Sequence, residues 1–218
     1  MPDPVLVIAN KRYSSWSLRP WMLLTQFDLP FREIVVRMGE PDTRARMLEY
    51  SPTGKVPALV DGPAVVWDSL AICEYVADSN PQLAIWPHAA QARAMARSIA
   101  AEMHSSFQAL RQQCPMVWDR PRQAPLFTPE TLVDIARIEN IWRIARERFA
   151  DGGPFLFGAF SAADAMYAPV VSRFDRYAAP VADDTKAYMQ AMKQSRAWKK
   201  WDEGARAEPW RIEKYETA

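Results

Sequence analysis

Short apolar runs alternate with segments of helical spacing over residues 1–80 of the chain. The runs predict strands at Val5–Ile8, Phe31–Val36, Ala58–Val60 and Ala64–Val66. Apolar positions three and four residues apart predict helices at Ser17–Phe27, Thr43–Tyr50 and Ser69–Ala77. Strands that alternate with helices favour an α/β unit built on a mixed four-stranded sheet.

Strand signals disappear after a polar break at Asp78–Leu83, and the rest of the pattern is helical. Five helices are predicted, with most prolines between them, at Ala89–Gln113, Pro129–Ala150, Ala163–Tyr177, Thr185–Lys193 and Arg196–Trp201. The sequence therefore predicts a first domain over residues 1–80, a linker over 81–88 and an all-helical domain over 89–218. The three late tryptophans, Trp198, Trp201 and Trp210, are expected to pack onto the helical domain, and Glu213–Ala218 is expected to fray.

Composition and charge narrow the expected partners. Lys and Arg number 27 against 26 for Asp and Glu, a net charge of +1, so no overall field attracts nucleic acid or anionic lipid. No apolar run approaches about 18 residues, and Met1–Pro4 lacks the features of a signal peptide, so we expect no membrane association and a cytoplasmic location. The two cysteines, Cys73 and Cys114, lack metal-ligand spacing, so no metal is expected, and Cys73 is expected to pack in the core.

Two adjacent hydroxyls, on Ser14 and Ser15, lie where the first strand gives way to the first helix. A helix N-terminus attracts anions, because its free backbone N–H groups and the positive end of its dipole point at them. A hydroxyl there can donate a hydrogen bond to a phosphate, a carboxylate or a thiolate. The alternative interpretation is an ordinary helix cap, the commonest role of serine at this position.

A second group of candidates follows the second predicted helix, Thr43–Tyr50. Val56-Pro57 opens an apolar run, and a proline at a strand start leaves the backbone of Val56 free to pair with an extended peptide. Asp68-Ser69 precedes the next helix and brings a carboxylate and a hydroxyl to its N-terminus. Such a pair suits the ammonium and the carboxylate of one small ligand, or forms a plain cap.

These motifs, in this order, resemble the cytosolic glutathione transferases that carry a serine at the thiol site, close to the zeta class and its bacterial relatives. The resemblance covers nearly the whole chain: Gly54–Leu59 looks like the cis-proline element of the family and Trp67–Ile72 like its glutamyl-binding motif. Ser161 and Asp164, a serine followed three residues later by an acid, look like the family's helix-capping box. The resemblance implies a thioredoxin-like first domain, an all-helical second domain and a homodimer.

The resemblance also implies glutathione as co-substrate and assigns residues to it. Ser14 matches the serine that donates to the thiolate, with Ser15 as the reserve candidate, which would donate through its backbone N–H. Val56 and Pro57 would hold the cysteinyl part. The γ-glutamyl end would be bound by Asp68 and Ser69, and the glycyl carboxylate by Lys55 or Arg44, for which a solvated surface role is the alternative.

The expected function is conjugation or reduction of a small electrophile with glutathione. Isomerisation of maleyl-type diacids ranks only as an alternative, because Trp16 stands where zeta-class enzymes carry cysteine. A non-catalytic scaffold that keeps the fold is another alternative. The electrophile is expected to bind between the first domain and the following helix, near Met103, His104, Phe107 and Arg111, with Trp16 and Trp118 as walls.

Overall fold

The computed structural model describes residues 3–216. Its first part contains four strands, β1 (Val5–Ile8), β2 (Arg32–Val35), β3 (Ala58–Asp61) and β4 (Ala64–Trp67). They form one sheet in the order β2-β1-β3-β4, in which β1 runs parallel to β2 and β3 antiparallel to both of its neighbours. Three helices, α1 (Ser15–Gln26), α2 (Thr43–Leu48) and α3 (Ser69–Ser79), are interspersed with the strands. The predicted mixed four-stranded sheet is confirmed.

The centre of the sheet is buried on both faces, which explains the continuous apolar run of β1. Leu6 and Ile8 point into the larger core, and Val7 points into a smaller cluster with Val36 and Met47 on the opposite face. All three β1 side chains are fully buried. The side chains of β1 therefore alternate between two apolar environments, as the pleat of a strand requires.

The rest of the chain is helical, as predicted. The helices are α4 (Ala90–Ser105), α5 (Gln108–Gln113), α6 (Pro129–Phe149), α7 (Ala162–Arg176), α8 (Asp183–Gln194), α9 (Arg196–Ala207) and α10 (Glu213–Glu216). None of the helices within residues 3–216 is long and apolar enough to cross a membrane.

Helix α7 forms the middle of the helical part and is buried from residue 162 to residue 174. The predicted capping box at its start is confirmed: the Ser161 backbone N–H donates to Asp164 Oδ2 over 2.9 Å. The Leu156 N–H and the Tyr188 hydroxyl both donate to Asp164 Oδ1 over 3.1 Å. Burial nevertheless raises the pKa of the Asp164 carboxyl to about 6, against these hydrogen bonds, which lower it.

One predicted helix, Ala89–Gln113, is wrong in its continuity. It breaks into α4 and α5 at Phe107, whose backbone takes a left-handed φ of 65° while its ring stays in the core. The Arg111 side chain accounts for the break, because its Nε donates to the Ser106 carbonyl over 2.9 Å and its Nη2 to the Met103 carbonyl. These bonds satisfy carbonyls that a continuous helix would have paired.

The chain end also departs from expectation. Residues 213–216 form α10 instead of fraying, because the Tyr215 ring stacks on Tyr13 with centroids 5.4 Å apart and the Tyr13 hydroxyl accepts from the Ile212 N–H over 3.1 Å. Thr217 and Ala218, the remainder of that predicted segment, lie outside the described residues. Trp198 and Trp201 are buried as predicted, whereas Trp210 remains 38% exposed.

Candidate functional site

A cleft of about 420 Å³ opens beside the sheet, and its lining brings the predicted ligand contacts together. The lining residues are Trp16, Thr53, Lys55, Val56, Pro57, Trp67, Asp68 and Ser69. They come from the start of α1, the loop before β3, and the junction between β4 and α3. All five residues predicted to bind the tripeptide outside the thiol site, Lys55, Val56, Pro57, Asp68 and Ser69, therefore face one cleft.

The approach to β3 supplies one wall of the cleft. The Val56-Pro57 peptide bond is cis, as the family resemblance implies. Lys55, next to it, is exposed at the cleft. Arg44, the alternative to Lys55, is not among the lining residues; its side chain crosses Gly54, where an added Cβ would lie 2.9 Å from Arg44 Nη1.

Asp68 is held in an unusual backbone conformation at the N-cap of α3. Its φ of 77° lies in a region that residues with a side chain rarely adopt, at a cost of about 1–3 kcal/mol. Its Oδ1 accepts from the Leu70 N–H over 2.8 Å, and its Oδ2 accepts from His104 Nε2 over 2.6 Å. The carboxylate is therefore fixed from both sides, and the second contact comes from α4.

The two serines at the start of α1 lie beside the cleft and are not part of its lining. Both are buried, Ser14 with 6% and Ser15 with 7% of its surface exposed. Ser14 is the N-cap of α1: its Oγ accepts from the Ser17 N–H over 3.4 Å and lies 2.7 Å from Ser17 Oγ. Ser17 Oγ in turn accepts from the Ala9 N–H over 3.1 Å. Ser14 thus has the capping role that was the alternative interpretation, and the structure links it to Ser17, which sequence reasoning missed.

Trp16 is surrounded by polar groups, and one of them, Arg19, was not among the sequence-based candidates. The His104 ring meets it edge-on at a centroid distance of 5.3 Å. The guanidinium carbons of Arg19 and Arg111 lie 4.2 Å and 5.1 Å from its ring centroid. Of the predicted electrophile contacts, Trp16 therefore lines the cleft, and His104 and Arg111 lie against Trp16.

The other three expected electrophile contacts are wrong. Met103 and Phe107 are buried in the core and are not among the residues that line the cleft. Trp118 packs against Trp198 with centroids 4.7 Å apart and donates its indole N–H to Asp202 Oδ1 over 2.7 Å. Helical spacing alone could not separate these core positions from pocket positions.

The two cysteines are not suited to act as reactive thiols at this cleft. Both are buried, and burial raises the pKa of Cys73 to about 12 and that of Cys114 to about 11. Core packing of Cys73, as expected from the sequence, is confirmed. Within residues 3–216, no three His, Cys, Asp or Glu side chains are grouped so that they could hold a metal ion.

Comparison with known proteins relates both parts of the chain to one protein family. Residues 13–79 match the family model for the glutathione S-transferase N-terminal domain, and residues 101–205 match the one for the C-terminal domain. A probable maleylacetoacetate isomerase of Caenorhabditis elegans is 30% identical over 107 residues, which is 49% of each chain. A dichloromethane dehalogenase of Methylorubrum extorquens is 45% identical over 53 residues, 23% of this chain and 18% of that one. The matched stretches thus span half or less of these relatives' own lengths.

Solved structures show the same fold over nearly the whole chain. A glutathione transferase homologue from Burkholderia, solved with bound glutathione, superposes with a TM-score of 0.72 at 19% identity, covering 95% of this chain and 100% of that one. A diazinon-metabolizing glutathione S-transferase of the silkworm Bombyx mori gives a TM-score of 0.70 at 18% identity, covering 94% and 98%. The matches to both domain models, together with this fold, show that the chain belongs to the glutathione S-transferase family.

Proposed function

We propose that this protein is a glutathione transferase that binds reduced glutathione in the cleft and joins its sulfur to a small electrophile, or uses it to reduce one. The observation that carries the proposal is the convergence of Lys55, Val56, Pro57, Asp68 and Ser69 on one cleft of about 420 Å³. This volume lies within the usual range of small-ligand pockets, about 300–1,000 Å³. Glutathione bound to a homologue of the same fold supports the proposal.

The chemistry of the lining matches the two ends of the tripeptide. The Asp68 carboxylate suits the γ-glutamyl ammonium, and the Ser69 hydroxyl at the start of α3 suits the adjacent carboxylate. The backbone of Val56, before the cis proline, pairs with the cysteinyl part. Lys55 binds the glycyl carboxylate, with Arg44 as the alternative on the other side of Gly54.

The proposed role of Ser14 is to stabilise the glutathione thiolate. A free thiol has a pKa of about 8.5, and lowering it by about two units takes roughly 2.7 kcal/mol. A hydrogen bond to a charged group is worth about 1.5–3 kcal/mol, and the helix dipole adds about 0.3–1 kcal/mol. Ser14 can donate to the thiolate when Ser17 donates its own proton to Ser14 Oγ, a direction that the 2.7 Å contact allows. Ser15 is the second candidate donor through its hydroxyl, since its backbone N–H donates to the Tyr13 carbonyl over 3.1 Å.

In conjugation the thiolate supplies the electron pair of the new bond to sulfur, and the leaving group departs with the pair of the broken bond. In reduction two glutathione molecules supply two electrons and end as the disulfide. Either course needs the thiolate and leaves the chain itself unmodified. The proposal includes a homodimer, which the family resemblance implies. It also includes a cytoplasmic location, a first domain over residues 1–80 and a helical domain from residue 89, which the sequence pattern predicts.

One observation favours a second candidate, a glutathione-dependent isomerase of maleyl-type diacids. The matched relative from Caenorhabditis elegans is named as a probable maleylacetoacetate isomerase. Trp16 occupies the position where the zeta class has cysteine, so conjugation or reduction remains the first candidate.

The test combines glutathione calorimetry with turnover assays on a halide, an epoxide, a peroxide and a maleyl-type diacid. The proposal expects micromolar to millimolar glutathione binding and turnover of at least one of the first three substrates. Turnover of the diacid alone would select the isomerase. Binding without any turnover would indicate a scaffold, and no glutathione binding would contradict the proposal outright.

A further inference from the structure

Arg19 is a buried cation directly behind the cleft. It lies in the second turn of α1 and none of its surface is exposed. Its guanidinium stacks on Trp16 at 4.2 Å, and its Nη1 donates to Ser69 Oγ over 3.3 Å. Both contacts are residues that line the cleft. Arg19 is therefore one atom layer from any ligand that reaches Ser69.

Within residues 3–216 no salt bridge pairs the charge of Arg19, and its Nε and Nη2 are buried without a hydrogen-bond partner. Burial, together with the nearby cations Arg111 and Arg173, lowers the pKa of Arg19 to about 9, while Asp68 acts in the opposite direction. Burying a charged guanidinium without a salt bridge costs free energy, and an anion that approaches it reduces this cost.

The contact with Arg19 also fixes what the Ser69 hydroxyl can do. A guanidinium carries only donors, so Ser69 Oγ must be the acceptor in their hydrogen bond. The proton of the hydroxyl then remains available for a ligand acceptor. Ser69 lines the cleft and is itself closed to bulk water, so a ligand carboxylate that binds there leaves water and gains more from a nearby cation.

We propose that Arg19 is the positioning residue that sets the polarity of the amino-acid subsite: it makes Ser69 a donor to the ligand's α-carboxylate and leaves Asp68 to accept the ammonium. This inference rests on the proposed function, since it concerns how glutathione is held. Arg19 does not contact the ligand; it acts through Ser69 and through its charge. Its replacement should therefore affect one functional group of the ligand only.

The test measures binding of glutathione and of two analogues by calorimetry. One analogue lacks the α-carboxylate (γ-aminobutyryl-cysteinyl-glycine) and the other lacks the amine (glutaryl-cysteinyl-glycine). Arg19→Met should weaken binding of glutathione and of the amine-free analogue about tenfold or more, and leave the carboxylate-free analogue unchanged. Arg19→Lys, which keeps the charge, should recover part of the loss. Equal weakening of all three ligands would overturn the inference.

Two further variants separate this effect from general damage to the fold. Arg173→Met removes another buried arginine, whose Nε donates to the Cys114 carbonyl over 2.8 Å, and should leave the preference for the carboxylate intact. Ser69→Ala should reduce that preference as Arg19→Met does, and it remains informative if Arg19→Met does not fold. Full retention of the preference in Ser69→Ala would also overturn the inference. Failure of the unaltered protein to bind glutathione would instead contradict the proposed function.

Discussion

Asp68 shows at the residue scale how local strain serves a site. Its positive φ, its hydrogen bond to the Leu70 N–H and its contact with His104 hold one carboxylate at the cleft. Backbone strain of this kind persists only where the surrounding contacts determine the conformation. Here those contacts come from α3 and α4, so the carboxylate does not have to reorganise when an ammonium arrives.

Replacing Asp68 with Asn should separate charge from shape. Asn tolerates positive φ and keeps an oxygen for the Leu70 N–H, and its amide N–H can donate to the other tautomer of the partly exposed His104 ring. The free energy of unfolding should therefore change by less than about 1 kcal/mol. Glutathione binding should weaken at least about tenfold, because the ammonium loses its counter-charge. Calorimetry measures the binding and urea denaturation the stability. Asp61→Asn, at the end of β3 and outside the cleft lining, is the control, and equal losses in the two variants would contradict the role of Asp68.

Ser17 should matter to the thiol although it was absent from the sequence-based candidates. Ser17→Ala removes the hydroxyl that can donate to Ser14 Oγ, so Ser14 becomes a poorer donor and the pKa of bound glutathione should rise by about half a unit to one unit. Ultraviolet titration of the bound thiol measures this shift. Ser98→Ala, on the exposed side of α4, should leave the thiol pKa unchanged. A thiol pKa that is also unchanged in Ser17→Ala would rule out the proposed role of Ser17 as a donor to Ser14 Oγ.

At the scale of elements, the start of α7 is the clearest determinant of stability outside the cleft. Asp164 accepts from Ser161, Leu156 and Tyr188 in a fully buried position. An amide at this position would turn one acceptor into a donor that faces donors. Asp164→Asn should therefore lower the free energy of unfolding by about 2–4 kcal/mol, as measured by urea denaturation.

The difference in stability between the unaltered protein and Asp164→Asn should depend on pH. The pKa of Asp164 is raised from 3.8 to about 6 in the folded state, so the folded protein holds this proton more tightly than the unfolded chain does. The stability that this protonation contributes is full below about pH 4 and is lost as the pH rises through about 6. The advantage of the unaltered protein over Asp164→Asn should accordingly shrink between pH 4 and pH 7. An advantage that grows over this range would contradict the raised pKa.

The contacts of Tyr13 with the tail helix α10 can be tested separately. Tyr13→Phe removes the hydroxyl that accepts from Ile212 and contacts Glu216, while it keeps the ring that stacks on Tyr215. The tail should open more often, with a loss of about 1 kcal/mol in local stability. Hydrogen exchange of residues 208–216 measures this opening, and unchanged protection would contradict the role of the hydroxyl. Tyr75→Phe, whose hydroxyl donates to Asp61 Oδ2, is the control.

Most elements could be predicted from the sequence because their signals are local. The four strands and the first three helices follow from apolar spacing, and the start of α7 follows from Ser161 and Asp164. The break at Phe107 could not be predicted, since neither glycine nor proline marks it and the bonds that permit it come from Arg111, four residues later. The order of the tail depends on Tyr13, which lies at the other end of the chain.

At the scale of the molecule, the larger core runs through both parts of the chain. Leu18 and Met22 of α1 belong to the same buried cluster as Tyr167 and Val171 of α7. The start of α1, with its serines, is therefore fixed against the helical part. The cleft residues Val56, Pro57, Asp68 and Ser69 could be predicted because they form short motifs. Arg19 could not, because it joins the site through a contact with Ser69 on another helix, and the contact between His104 and Asp68 likewise joins distant elements. Ser17 contacts Ser14 within three residues, a local pair that the sequence-based candidates left out.

The measurement that tests the account most directly is the ultraviolet pH titration of glutathione bound to the protein and to Ser14→Ala. The account predicts that the bound thiol has a pKa about two units below its free value of about 8.5, and that Ser14→Ala removes most of this shift. A bound thiol with its ordinary pKa, or a lowered pKa that persists in Ser14→Ala, would contradict the claim that Ser14 stabilises the thiolate.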